Sequence, residues 1–480
     1  MQKMFKPSLI AASIVLAFSS QQASATNGYA AHGFGTVQKA MGGTAVAGSD
    51  NAMNIATNPA SMSFGDNNWT GGLELFVPDR GMEHAGRPGH PDLPLTAFFP
   101  QPLHPFLPQG AQIPGDNGIS GAKLKANEKK MFVSPEGAYQ KKLRNKKFSV
   151  GIAVYGNGGM NASYDRPIFS QSNKTSINLE QLFIAPSASM KINPNHSIGA
   201  SLNLVYQRID IKGVDAFKPF SSDPNNLSDN GTDSSTGAGI TLGWQGKIRD
   251  DITFGLAYRS KASMSKFSKY KGLFAEQGKF DVPSMITAGV SVSPTPKTTV
   301  ALDVARINYT DSKSISNKNN TAGLQQQLVG QAFTGQSAPL KGPKLGDNDG
   351  AGFGWTDQTV VKVGIKHKFN NKITLMGGYN HGKAPIPTDQ TAFNVLAPAT
   401  TEDHLTLGLQ YQLSKKSNVA FQYMHAFSHK IKGDTATYSN GQPKSPGSQV
   451  GIGANPLTDF SAADIEMHQD AFGVSYTKHF

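Results

Sequence analysis

Residues 196–211 read HSIGASLNLVYQRIDI, and the order of side chains in that stretch decides the architecture. Ile198, Ala200, Leu202, Leu204 and Tyr206 fall on one side, with Ser197, Gly199, Ser201, Asn203 and Gln207 on the other. A repeat of two belongs to an extended strand whose successive side chains leave by opposite faces. The same alternation sets Leu405, Leu407, Leu409 and Tyr411 against Thr406, Gly408, Gln410 and Gln412. It recurs where Ile252, Phe254, Leu256 and Tyr258 oppose Thr253, Gly255, Ala257 and Arg259. A soluble sandwich would alternate too, but these strands are about 10–13 residues long, the length that crosses a bilayer at the tilt of a barrel.

Working outward, strand-like stretches fall at about 68–77, 130–140, 146–156, 182–192, 196–211, 237–248, 252–262, 281–293, 297–309, 357–368, 371–381, 402–414, 417–427 and 466–480. Every second connection is short, as at Asn193-Pro194-Asn195, Asn370-Asn371 and Lys415-Lys416, and the others are long and polar or rich in Pro and Gly. Short turns on one side and long loops on the other are how outer-membrane barrels are built. The last strand agrees, with Phe472, Val474, Tyr476 and the terminal Phe480 on one face. These features predict an all-β fold, a 14-stranded antiparallel transmembrane β-barrel, whose closure leaves no open edge in the bilayer.

Composition narrows the function. Lys3 and Lys6 precede an apolar run from Leu9 to Phe18, and Ala23-Ser24-Ala25 offers a cleavage site, so residues 1–25 read as a secretory signal peptide. No apolar run is long enough for a spanning helix, which needs roughly 20 residues. Cysteine is absent, which rules out a disulfide framework and thiolate metal ligands. The formal charge of +12 is scattered without a nucleic-acid-binding signature, and an exported basic surface suits outer-membrane lipid and lipopolysaccharide instead. G-x-S-x-G, Walker-type, H-E-x-x-H and dinucleotide patterns are all missing, so the reading is of a protein that is not an enzyme and holds no cofactor or metal.

The front of the mature chain is different. Residues 27–62, NGYAAHGFGTVQKAMGGTAVAGSDNAMNIATNPASM, hold Gly28, Gly33, Gly35, Gly42, Gly43 and Gly48 among small residues and end near Asn58-Pro59-Ala60. Such a stretch makes neither a stable strand nor a long helix, so it must be packed inside something else. Its NGY and HGxG opening, KxMGG step and NPA tripeptide resemble the N-terminal hatch of the FadL/TodX family of outer-membrane channels for long-chain fatty acids and other hydrophobic compounds. The resemblance extends over essentially the whole chain. It implies residues 26–66 as a hatch, or plug, inside the lumen and 67–480 as the barrel.

Candidate site residues follow from both readings. Pro59 fixes its φ and Asn58 can bond its own backbone, so Asn58, Pro59 and Ala60 form a rigid turn in the hatch. Gly156, Gly158 and Gly159 weaken the third strand, where the family carries an inward kink that opens the wall sideways. Phe267, Tyr270 and Phe274 share one face of a short helix in the fourth outer loop, with Leu273 beside them, and the resemblance implies a capture groove there. Arg208 and Arg259 are possible lumen cations for a carboxylate, or else partners of acids such as Asp210 or Asp303. The expected protein is a monomer of a Gram-negative outer membrane, inserted by the barrel-assembly machinery, passing fatty acids or aromatic hydrocarbons and binding no nucleic acid. Exit by movement of the plug and exit through the third strand both remain open. Competing readings are a surface barrel whose loops bind a host or phage partner and a barrel lipid hydrolase.

Overall fold

The computed structural model describes residues 26–84, 123–128, 131–169, 172–319, 338–433 and 463–480, with a few isolated positions between them. The signal peptide expected at residues 1–25 lies outside the described residues. The wall is a closed antiparallel barrel of fourteen strands. They are β1 (Asn68–His84), β2 (Phe132–Lys142), β3 (Phe148–Ser163), β4 (Ser176–Lys191), β5 (His196–Lys212), β6 (Asp233–Arg249) and β7 (Ile252–Arg259). The second half is β8 (Ser284–Thr295), β9 (Thr298–Asn308), β10 (Gln358–Lys368), β11 (Ile373–Gly382), β12 (Asp403–Ser414), β13 (Ser417–Ile431) and β14 (Ala463–His479). Each pairs with its neighbour in sequence, and β1 closes on β14 from Asn68 opposite His479 to His84 opposite Ala463.

Burial follows the period of two. Leu407 is 56 % exposed while Thr406 beside it is fully buried, so the apolar face is the outside, against lipid, and the polar face lines the lumen. At the short-turn end the outer face carries rings at interfacial height, such as Trp69 against Tyr476 at 5.3 Å and Tyr139 against Phe480 at 5.7 Å. Short turns mark this end as periplasmic. Several strands exceed the expected length, β1, β5, β6 and β14 having 17 residues each. The extra turns of ladder stand above the lipid, where on β1 Asp79 and Glu83 take over the outward positions held lower down by Leu73, Leu75 and Val77.

Residues 26–63 are almost entirely buried and lie inside this wall. Their only regular pieces are a short helix, α1 (Thr36–Ala40), and 3-10 turns at Ala52–Ala56 and Pro59–Ser63. A buried segment with so little internal ladder needs other partners for its amides. Wall side chains supply them: Asp303 Oδ2 accepts from the N–H of Ala45 at 2.8 Å and of Val46 at 3.0 Å, and Thr406 Oγ1 accepts from Gly42 N at 2.9 Å. Gln245 Nε2 donates to the Ala47 carbonyl at 2.7 Å and Ser197 Oγ to that of Ala60 at 3.0 Å. Close approach is possible because glycines face inward where this backbone docks. A Cβ on Gly255 would sit 2.1 Å from the Val46 carbonyl oxygen, and one on Gly378 would sit 2.2 Å from the Gly42 nitrogen.

Leu407→Arg puts a charge on the lipid face near mid-strand and is expected to destabilise the barrel by about 2–4 kcal/mol, measured by reversible unfolding from phospholipid vesicles.

Candidate functional site

Above the hatch the outer loops fold down into a capped mouth with an aromatic interior. Phe169 meets Phe217 at 4.9 Å, Phe217 meets Phe393 at 5.7 Å, and Phe353 meets Phe393 at 5.1 Å. The series continues through Trp355, 6.3 Å from Phe353, to Tyr29 of the hatch, 6.0 Å from Trp355. Phe217 is half-buried, so this run of rings starts at the surface and ends on the hatch.

Phe267, Tyr270, Leu273 and Phe274 belong to this core and are buried, with no more than 2 % of any of them exposed. They do not form one face of an exposed helix. A 3-10 turn spans Ser268–Tyr270, a separate turn spans Ala275–Gly278, and Glu276 and Gln277 inside the second have φ of 56°. The correction has a physical cause: the loop after β9 folds over this segment, Ser314 Oγ donating to the Lys279 carbonyl and Glu276 N to that of Asp347 at 2.9 Å. The Tyr270 hydroxyl is spent internally, donating to the Gly231 carbonyl at 2.8 Å.

Beneath the cap, between hatch and wall, Ala31, Phe34, Ala257 and Met285 surround a cavity of about 30 Å³ with Arg259, Asp303 and Lys362 at its edge. That volume holds little more than one water molecule, so this space is too small for a ligand. Arg259 points inward, donates to Asn157 Oδ1 at 2.6 Å and lies over the Phe183 ring at 5.4 Å. Lys362 Nζ donates to the His32 carbonyl at 2.8 Å. Asp303 pairs with hatch amides rather than with either arginine. Arg208 is not a lumen cation: it shares the outward parity of Leu202 and Leu204 and bonds Glu180 on β4 at 2.6 Å. That parity was the signal available in the sequence. Asn58 caps the Pro59–Ser63 turn, accepting from Ala60 N at 3.1 Å, and its Nδ2 spans from the Val46 carbonyl to that of Trp244 at 2.7 and 3.0 Å.

A buried ionic tie fixes the hatch to the opposite wall. Lys39 Nζ lies 2.9 Å from Glu74 on β1 and 3.7 Å from Glu136 on β2. Gln422 donates to Glu74 at 3.0 Å, and Gly35 N donates to Glu136 at 3.0 Å. Burial alone would lower the Lys39 ammonium, but the two carboxylates outweigh it and hold it above the usual lysine value. His32 has no such help; burial, with Lys39, His404 and Lys362 nearby, keeps its imidazole well below the ordinary 6.5.

The wall itself is interrupted. The β2–β3 ladder runs from Lys142 opposite Ser149 only as far as Gly137 opposite Val154, whereas β2 stays paired with β1 up to Phe132 and β3 with β4 up to Ser163. Pro135 explains the break: the ladder to β1 passes through it unbroken, so its ring nitrogen, which has no hydrogen to give, lies on the β3 side. Higher up, Lys123–Lys125 pairs with β1 and Asn127 with Ser163, closing the top. The result is a window between β2 and β3. Gly156, Gly158 and Gly159 stand on its β3 side, with a bulge between Gly156 and Gly158. There the hatch forms its back: Ala31 N donates to Asn157 O at 2.9 Å and Gly159 N to Tyr29 O at 3.0 Å. Only glycine fits position 158, whose φ is +140° and whose Cβ would lie 1.8 Å from the Tyr29 oxygen. Arg80 reaches across from β1, donating to Asn161 Oδ1 at 2.7 Å over the Phe132 ring. Neither Pro135 nor Arg80 stood out in the sequence, although a proline inside an alternating strand was a usable sign.

The sequence matches the family model described as outer membrane protein transport protein (OMPP1/FadL/TodX) over residues 14–460. Comparison with curated proteins found no match. Among solved structures, a Pseudomonas aeruginosa FadL homologue aligns with a TM-score of 0.62 at 14% identity, covering 94% of this chain and 100% of that one. The Pseudomonas putida toluene transporter TodX aligns at 0.58 and 18% identity, covering 94% and 99%. The Ralstonia pickettii toluene transporter TbuX aligns at 0.53 and 17% identity, again covering 94% and 99%. At these identities the likeness is one of fold.

Lys39→Met leaves Glu74 and Glu136 buried without their cation and is expected to weaken hatch docking by about 3–5 kcal/mol, raising ion conductance in planar bilayers. His32 gives a pH dependence of known sign. Its depressed value means that the undocked segment binds the proton better, so docking is strongest above about pH 6.5 and weakens below it. Conductance is expected to rise between pH 7 and pH 5 in the native protein and to rise less in His32→Gln, where, among the described residues, His404 is the one buried imidazole left beside the hatch.

Proposed function

Because the chain belongs to the outer membrane protein transport protein family (OMPP1/FadL/TodX), we propose that it is a passive channel carrying hydrophobic molecules, fatty acids or similar compounds, across the outer membrane. The observation that carries this reading is the window: the β2–β3 ladder stops at Gly137 opposite Val154 while both strands run on, and a hatch stands behind the gap. A polar solute gains nothing from a wall opening toward lipid, whereas an apolar one can leave there without meeting water.

Capture takes place at Phe217 and its neighbouring rings, where half-exposed apolar surface is continuous with a buried aromatic path. The ligand then moves down the rings to the space between Tyr29, Phe34 and the wall. Arg259 and Lys362 stand at that point, bonded to a neutral amide and a carbonyl, and a carboxylate would be a stronger acceptor for both. This favours amphiphiles with an acid group over plain hydrocarbons. Filling the pocket requires the hatch to shift, because a cavity of about 30 Å³ cannot hold such a molecule. Movement of Tyr29–Ala31 away from the β3 bulge opens the pocket and the window together. No nucleotide chemistry is needed, since partition into the membrane drives the transfer.

Cells carrying the gene are expected to take up labelled oleate faster than cells lacking it. Pro135→Val restores an N–H that can extend the β2–β3 ladder, and one hydrogen bond is worth about 1 kcal/mol, so uptake should fall by about fivefold with the barrel intact. Unchanged uptake in that variant would exclude the window as the exit.

A further inference from the structure

The lumen has a second chamber that the window route does not use. Below the hatch, at the short-turn end, lies a cavity of about 350 Å³, within the range of small-molecule sites. Its lining is polar and positively charged. Lys366 and Lys368 point inward from β10, Lys297 comes from the turn before β9, and His479 from the end of β14. The single carboxylate among the described lining residues is Asp50, which belongs to the hatch and is ion-paired with Lys366.

Two features set this chamber apart from a merely solvated rim. First, the cations continue a column. Lys362, Lys366 and Lys368 share the inward face of β10, so the strand leads from the closed pocket to the mouth over about 20 Å at ~3.3 Å per residue. Between them Gly364 gives way to the hatch backbone, a Cβ there falling 2.4 Å from the Met41 oxygen. Second, the chamber already holds a carboxylate. Asp50 on Lys366 is an intramolecular example of the group that this lining accepts, and Lys297 and Lys368 flank it without an acidic partner among the described residues.

We propose that this vestibule is a binding site for the carboxylate of an amphiphilic ligand, and that the arriving acid displaces Asp50 from Lys366. The inference rests on the channel reading above and adds a site, a ligand group and a regulatory step to it. Exchange of one carboxylate for another on the same ammonium forms and breaks no covalent bond, and the incoming acid gains Lys297 and Lys368 as well. Freed from Lys366, Asp50 no longer anchors the hatch corner that leads into the Ala52–Ala56 turn. An acid would thereby loosen the hatch from the periplasmic side, and a neutral molecule of the same length would not.

Peptide-resolved hydrogen exchange on the detergent-purified full barrel tests this, with octanoate as the acid probe and octanol as its neutral counterpart. Octanoate is expected to speed exchange in residues 45–54 by about fivefold, equivalent to about 1 kcal/mol of lost local protection, and octanol to leave it unchanged. Asp50→Asn should show the faster exchange without any ligand. The double variant Lys297→Gln/Lys368→Gln, which leaves the Asp50 pair intact, should lose the octanoate response. Equal effects of octanoate and octanol, or a full octanoate response in the double variant, would overturn the site. Oleate uptake by the same variants is a separate readout: its absence in native cells would refute the channel, whatever the exchange data show.

Discussion

Main-chain hydrogen bonding inside a closed wall is the constraint on which the structure turns. A barrel satisfies its own backbone by pairing strand to strand, and the lipid outside can contribute nothing. A segment placed in the lumen has no such ladder, and its amides and carbonyls must be met one by one by side chains from the wall. Asp303, Thr406, Gln245, Ser197 and Lys362 do this, and inward glycines let the two backbones come close enough. The polar lumen face is thus a receptor for the hatch first. Among the charged groups of that face, Lys362 and Lys366 hold hatch oxygens, whereas Arg259 bonds Asn157 of the wall itself.

That division explains why the charged groups are graded in strength. The tie of Lys39 to Glu74 and Glu136 is dry and costly to break, and it holds the hatch on the β1–β2 side. Across the lumen Lys362 donates to the neutral His32 carbonyl, Lys366 pairs with Asp50 close to water, and Asp303 holds the Ala45 and Val46 amides. Burial of His32 among lysines adds sensitivity to acid at the same joint.

The strands were legible because lipid enforces alternation more strictly than a protein core does. Each of the fourteen stretches read from the sequence overlaps a barrel strand, and the errors sit at the ends, where ladders rise past the bilayer and polar residues replace apolar ones. The site was less legible for a related reason. Parity names the face of a residue only while its strand keeps register, and the bulge after Gly156 reverses it: Tyr155 points inward below, while Met160, opposite Leu179, does so above. Arg208, on a regular strand, could have been placed by parity alone. The outer-loop aromatics could not, since their burial depends on a loop that joins them from some 40 residues away. Charge shows the same limit: lysines scattered along the sequence are gathered at one end by the short turns, as at Lys141, Lys142, Lys146, Lys147, Lys415 and Lys416.

The seam between β1 and β14 joins the start of the barrel to its finish, so the cylinder is complete only when the last strand is in place. The hatch, by contrast, precedes β1 in the chain, ends up inside the wall and is tethered directly to β1. The window, bounded above and below by paired backbone, is no doorway for a folded segment of this size. With the seam shut, the short-turn end is the side from which a segment tethered to Asn68 of β1 can reach the lumen.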